Sequence, residues 1–172
     1  MSSTVNQHAL NRIAARLGSI LGSHGHKIVT AESCTGGWIA QTLTAIPGSS
    51  SWFEAGFVTY SNAMKQSVLQ VPADYLQGPE APGAVSEQTV LAMARGALTL
   101  ADADWAVATS GIAGPGGATP GKPVGLVWIG WASHDICVAS AYNFVGSRDQ
   151  VRRQAVAAAL EGLLQRLQGS AT

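Results

Sequence analysis

The chain has 172 residues, ten basic and ten acidic side chains, a formal net charge of zero, 47% apolar residues and only 12% charged ones. That length suits a single domain, 1–172, able to bury a sizeable core, while the charged fraction is low against the ~25% usual for soluble proteins. The longest basic run is Arg152-Arg153, which excludes a nucleic-acid footprint; no apolar run is long enough to span a bilayer; and two cysteines, Cys34 and Cys137, cannot build a disulfide framework. The first eight residues lack the basic-then-apolar pattern of a signal peptide, so a reducing, cytoplasmic setting is the default expectation.

In chain order, Leu10, Ile13, Leu17, Ile20 and Leu21 recur at helical spacing and predict a helix over 5–23, stopped by Gly22 and Gly25. A short strand over 27–31 leads to a helix over 35–46 that opens with Gly36-Gly37 and ends at Pro47-Gly48. Residues 52–60 read as a second strand with an irregularity around Gly56, and Asn62 as the N-cap of a helix reaching about residue 69. A proline-rich loop over 72–83, with at most one helical turn, precedes a helix capped by Ser86 that runs to about residue 101. The stretch 105–110 is a buried strand, 111–121 a glycine-rich loop, and 124–132 with 136–144 an antiparallel hairpin turning at Ser133-His134-Asp135. Ser147 and Gln150 form a capping box for a last helix ending near residue 168. The order αβαβααβββα predicts an α/β fold, a mixed sheet with helices on both faces.

Four segments have the composition of a site. Thr30 to Gly37 lies between a strand and a helix, where Ser33, Cys34 and Thr35 stand beside Gly36 and Gly37, whose N–H groups at a helix start attract anions or hold an oxyanion; on spacing alone, a helix cap is the simpler role for Ser33 or Thr35. Val58 to Lys65 carries Tyr60 at a strand end and Lys65 in the next helix. A serine nucleophile needs a base; none of the four histidines has triad or metal spacing, whereas a partly desolvated lysine can serve. On spacing alone, a solvated surface charge is the simpler reading of Lys65, and a strand-end aromatic that of Tyr60. Ser110, Gly111, Ile112, Ala113 and Gly114 open a loop after a buried strand that either nests an anion or simply connects; it is neither a Walker A loop nor a dinucleotide fingerprint. Arg148 sits in the first turn of the last helix, an unfavourable end for a cation unless it meets a phosphate or carboxylate, which Arg152 could share; pairing with Asp149 or Glu161 is the alternative. Cys34 has no histidine tied to it and reads as a packed thiol.

Together these stretches, TAESCTGG at 30–37, PGSSSWFEAGFVTYSNAMK at 47–65, GAVSE at 83–87, ATSGIAGPGG at 108–117, KPVGLVW at 122–128 and GSRDQVRRQA at 146–155, resemble the CinA carboxy-terminal domain family. The resemblance implies a three-layer α/β/α fold with a mixed sheet. It implies hydrolysis of the carboxamide of nicotinamide mononucleotide to nicotinate mononucleotide and ammonia, with Ser33 as nucleophile and Tyr60 and Lys65 as its partners. It implies no metal and no cofactor. Many members carry a separate amino-terminal domain that this sequence lacks, which fits the stand-alone enzymes of the family. The alternatives are a nucleotide-binding module without turnover, an amidase for another small carboxamide, and a regulatory partner of a recombination protein. Low charge and the tryptophans further suggest a homodimer.

Overall fold

Apolar side chains three and four residues apart give each long helix one face to bury, and runs of small and β-branched residues give strands buried on both faces. In the computed structural model, which describes residues 5–169, this patterning yields α1 (Gln7–His24), β1 (Ile28–Glu32), α2 (Trp38–Thr44), a 3₁₀ turn (Ser49–Ser51), β2 (Phe53–Val58), α3 (Asn62–Leu69), α4 (Ala73–Leu76), α5 (Glu87–Ala101), β3 (Trp105–Gly111), β4 (Leu126–Ser133), β5 (Cys137–Asn143) and α6 (Arg148–Gly169). The five strands lie in the order β2-β1-β3-β4-β5. The first three are mutually parallel, and β4 and β5 continue the sheet antiparallel. This is the mixed, three-layer α/β/α architecture expected.

Two apolar layers hold the sheet. On one face α1, α2 and α6 gather Leu10, Leu17, Ile39, Leu43, Leu160 and Leu163 with the sheet residues Ile28, Val107 and Ile129. On the other, α3, α4 and α5 gather Leu69, Leu76, Val90 and Met93 with Val29, Ala31, Ala106 and Ala108. Fully burying one such Leu, Ile, Val or Met is worth about 1.5–3 kcal/mol. Trp131 is wholly buried and its indole N–H donates to Ala159 O at 2.9 Å. It fits because α6 carries Gly162, where a Cβ would come within 2.2 Å of the ring. Trp52 and Trp105 are buried too, so these three tryptophans fill the chain's own core.

Several boundaries differ from the sequence expectation, each for a local reason. Helix α2 starts at Trp38, not at residue 35, because Gly36 and Gly37 are left-handed (φ +63° and +93°) and keep 33–37 in a turn. The N-cap of α3 is Ser61, not Asn62: Ser61 is still extended and its hydroxyl accepts from Met64 N–H at 3.2 Å, while Asn62 is already helical. The irregularity in β2 falls at Glu54 rather than Gly56, since Ile28 pairs with Phe53 and Val29 with Ala55. Gly56 instead lets α2 approach, as a Cβ there would lie 2.9 Å from that of Ala40. The Ser147–Gln150 capping box forms: Ser147 N–H donates to Gln150 Oε1 at 2.8 Å and Gln150 N–H to Ser147 Oγ at 3.4 Å.

Candidate active site

Parallel strands β1, β2 and β3 end together, and ligands of open α/β sheets bind at such carboxyl ends. Beyond Glu32 the ladder runs one residue further: Ser33 N–H donates to Thr109 O at 3.0 Å and Thr59 N–H to Glu32 O at 3.0 Å. Residues 33 and 59 are thereby held against neighbouring strand ends, and α3 swings Lys65 back over them.

Lys65 is 1% exposed. Its Nζ lies 3.1 Å from Ser33 Oγ, 2.8 Å from Thr59 O and 3.1 Å from Tyr60 O. No carboxylate lies within salt-bridge distance of it among the described residues. Burial pushes its pKa below the ordinary lysine value, opposed in part by the Cys34 thiol. Two carbonyls and one hydroxyl surround the amine, and Nζ is within donating distance of all three.

Tyr60 serves Lys65 through its main-chain carbonyl. Its side chain is 62% exposed, and its hydroxyl accepts from Arg148 Nη2 at 3.1 Å. Arg148 also donates to Gly114 O at 2.7 Å, so the first turn of α6 joins the 113–117 loop to the serine–lysine pair by way of Tyr60. The partner of Asp149 is Arg153, at 2.9 Å, not Arg148.

The start of α2 departs from expectation. Glu32, which the sequence reading left without a role, is fully buried and turns its carboxylate onto the helix: it accepts from Gly37 N–H at 3.1 Å, Ile39 N–H at 3.0 Å and Ala40 N–H at 2.8 Å. Gly36 N–H donates to Ser33 O at 3.0 Å. The N–H groups of Gly36 and Gly37 are therefore already engaged by the chain itself, and no anion can use them. The N–H groups of Cys34 and Thr35 donate to no oxygen among the described residues, and that of Cys34 lies against its own thiol sulfur. Two signals for Glu32 were present in the sequence: a carboxylate at a strand end, and unpaired helix donors a few residues on.

Other expected site residues are engaged as well. Ile112 extends the ladder, its N–H donating to Leu126 O at 2.8 Å and its carbonyl accepting from Gly125 N–H at 2.7 Å, and Gly111 closes β3; Ala113 and Gly114 are buried, and the exposed part of the loop begins at Pro115. Ser110 is buried beside Ser33 in register and its hydroxyl donates to Ala84 O at 2.6 Å. Thr35 shares a hydrogen bond with Thr109, Oγ1 to Oγ1 at 2.8 Å. Arg152, expected near a substrate anion, donates instead to Cys34 O and Thr35 O, at 3.1 and 2.9 Å. Cys34 is buried, and its thiol is pushed up to about 12, first by burial and then by the nearby Glu32 charge, while its own backbone N–H, Arg152 and Lys65 pull the other way. At neutral pH it is a protonated, unreactive thiol. Among the described residues no three His, Cys, Asp or Glu side chains converge as a metal site requires, and no helix is long and apolar enough to cross a membrane.

Fold and site together define a class: an α/β/α protein that presents a serine hydroxyl and a buried amine at the ends of parallel strands. The chain belongs to the CinA family, the model of whose C-terminal domain matches residues 10–167. It is 51% identical over 156 residues to the nicotinamide-nucleotide amidohydrolase PncC of Pseudomonas putida, covering 91% of this chain and 96% of that one. It is 48% identical over 157 residues to the protein of the same name from Escherichia coli K12, covering 91% and 93%. The crystal structure of the competence/damage inducible protein CihA from Agrobacterium tumefaciens matches with a TM-score of 0.87 at 40% identity, covering 96% of this chain and 98% of that one.

Proposed function

We propose that this chain hydrolyses the carboxamide of nicotinamide mononucleotide, releasing ammonia and nicotinate mononucleotide, with Ser33 as nucleophile and Lys65 as base. The names of relatives about half identical over nine-tenths of the chain support the substrate. The observation that carries the chemistry is the 3.1 Å approach of Lys65 Nζ to Ser33 Oγ inside a shell of two carbonyls.

The neutral amine of Lys65 takes the Ser33 proton as Oγ bonds to the carboxamide carbon. The carbonyl oxygen becomes an oxyanion, received by the N–H groups of Cys34 and Thr35. Collapse breaks the C–N bond, and the departing nitrogen takes the proton back from Lys65 to leave as ammonia. Water then attacks the Ser33 ester, losing its proton to Lys65, which returns it to Oγ as nicotinate mononucleotide departs. Arg148, beside Tyr60 and Gly114, supplies the positive charge for the substrate phosphate, with the 111–117 loop alongside the ribose; the start of α2 is closed to that phosphate by Glu32.

The test is ammonia release from the mononucleotide by a coupled assay. Wild type releases it and Ser33→Ala does not, while retaining its fold; equal turnover by the two proteins would defeat the proposal. Binding of the mononucleotide without ammonia would mark a nucleotide-binding module instead, detectable as thermal stabilisation.

A further inference from the structure

We infer that Arg152 is a positioning residue for the oxyanion donors, acting through two peptide groups of the nucleophile turn, and not a ligand of the substrate phosphate. The inference rests on the reading of Ser33 as nucleophile.

The peptide groups around Ser33 have an unusual connectivity. Arg152 Nε donates to Cys34 O at 3.1 Å, and the N–H on the other end of that peptide group is that of Thr35. Arg152 Nη2 donates to Thr35 O at 2.9 Å. The far end of that second group is Gly36 N–H, which donates to Ser33 O at 3.0 Å. The far end of the Ser33 carbonyl is the N–H of Cys34. Two chains of hydrogen bonds thus leave one guanidinium and finish on the N–H groups of Cys34 and Thr35, the two that face no oxygen of the protein. A cation on a carbonyl draws electrons toward that oxygen and makes the N–H of the same peptide group a stronger donor, and such chains reinforce one another. Arginine suits the task because it keeps its charge at every working pH and spans two acceptors with a planar fork.

The surroundings fix the guanidinium rather than leave it for a ligand. No carboxylate lies within salt-bridge distance of it among the described residues. It stands over the Trp38 ring, 5.3 Å from the centroid, and the Trp38 indole N–H is itself held by Gln7 Oε1 at 3.0 Å. Gly36 lets it approach, since a Cβ there would come 3.2 Å from Nη2. Across the turn, Glu32 holds the donors of α2, so a negative and a positive charge grip consecutive parts of one loop.

The test separates polarisation from phosphate binding with a substrate that carries no phosphate. Arg152→Met keeps length without charge, and Arg152→Lys keeps charge without the fork; circular dichroism confirms that each is folded. Each is assayed for kcat and KM on nicotinamide mononucleotide, and for acylation of Ser33 by 4-nitrophenyl nicotinate, read as nitrophenolate release and a mass increment on the Ser33 peptide. Removing a whole oxyanion donor costs about 10²–10³-fold, so weakening two should slow Arg152→Met about 10–100-fold in kcat. The same factor should appear in ester acylation, with KM within about twofold and Arg152→Lys intermediate. Wild-type ester acylation together with a raised KM for the mononucleotide would overturn the inference and make Arg152 a phosphate ligand. Failure of the ester to modify Ser33 in the wild type is a different result: it removes the nucleophile itself, and the inference with it.

Discussion

Two basic side chains approach the turn at Ser33 from opposite faces of the sheet, and their surroundings differ. Lys65 arrives from the α3 side, almost free of solvent, and meets a hydroxyl and two carbonyls with no carboxylate. Burial lowers its pKa from the ordinary lysine value, the direction that the proposed base role requires. Arg152 arrives from α6, lies across an indole ring and donates to two carbonyls of the turn. It cannot give up its proton, so its charge is permanent. In the proposed reading the buried lysine acts as a base and the arginine seated on carbonyls as a fixed field, one of each around a single serine.

The sharpest break of that comparison is at Lys65. Lys65→Met should lower kcat/KM by about 10³-fold or more, and Lys65→Arg should do no better, because charge without basicity is of no use there. In the wild type, log(kcat/KM) should rise with pH and level off below the ordinary lysine pKa of about 10.4. Stability should rise over the interval between the depressed value and that ordinary one, because the unfolded chain there binds more protons than the folded chain. Lys65→Met should flatten both curves, as measured by rate profiles and by thermal melts across pH.

Next in size is Glu32, the anion that closes the start of α2. Glu32→Ala leaves three N–H groups without their acceptor. At about 1–3 kcal/mol for each buried orphan, a loss near 3 kcal/mol after partial hydration would lower Tm by about 6–12 °C by scanning calorimetry. Arg148→Ala should act on binding alone: KM for the mononucleotide rises about 10-fold or more with kcat kept, since a hydrogen bond to a charged group is worth about 1.5–3 kcal/mol. An unchanged KM would move the phosphate elsewhere. The smallest effect belongs to Cys34→Ala, expected to keep the rate within about threefold because a thiol held near pKa 12 contributes no nucleophile.

Much of this was legible in the sequence, and the reasons for the rest are physical. Helical periodicity located α1, and capping chemistry located α5 and α6, because these signals are local. Ser33, Tyr60 and Lys65 could be picked out as site types, but their convergence depends on the parallel pairing of β1 with β2, a long-range contact that no spacing rule encodes. The roles of Glu32 and Arg152 were hidden for a related reason. Which N–H and C=O groups remain open depends on the left-handed turn at Gly36 and Gly37 and on where α6 docks, so the expected anion cradle turned out to be occupied by the protein's own carboxylate.

The lysine's seat has one further consequence. With Thr59 O and Tyr60 O each holding a hydrogen of Nζ, the remaining tetrahedral direction of the nitrogen points at Ser33 whether it carries a lone pair or a third hydrogen. In the proposed two-stage hydrolysis, both proton transfers would then use the same nitrogen direction without a turn of the side chain.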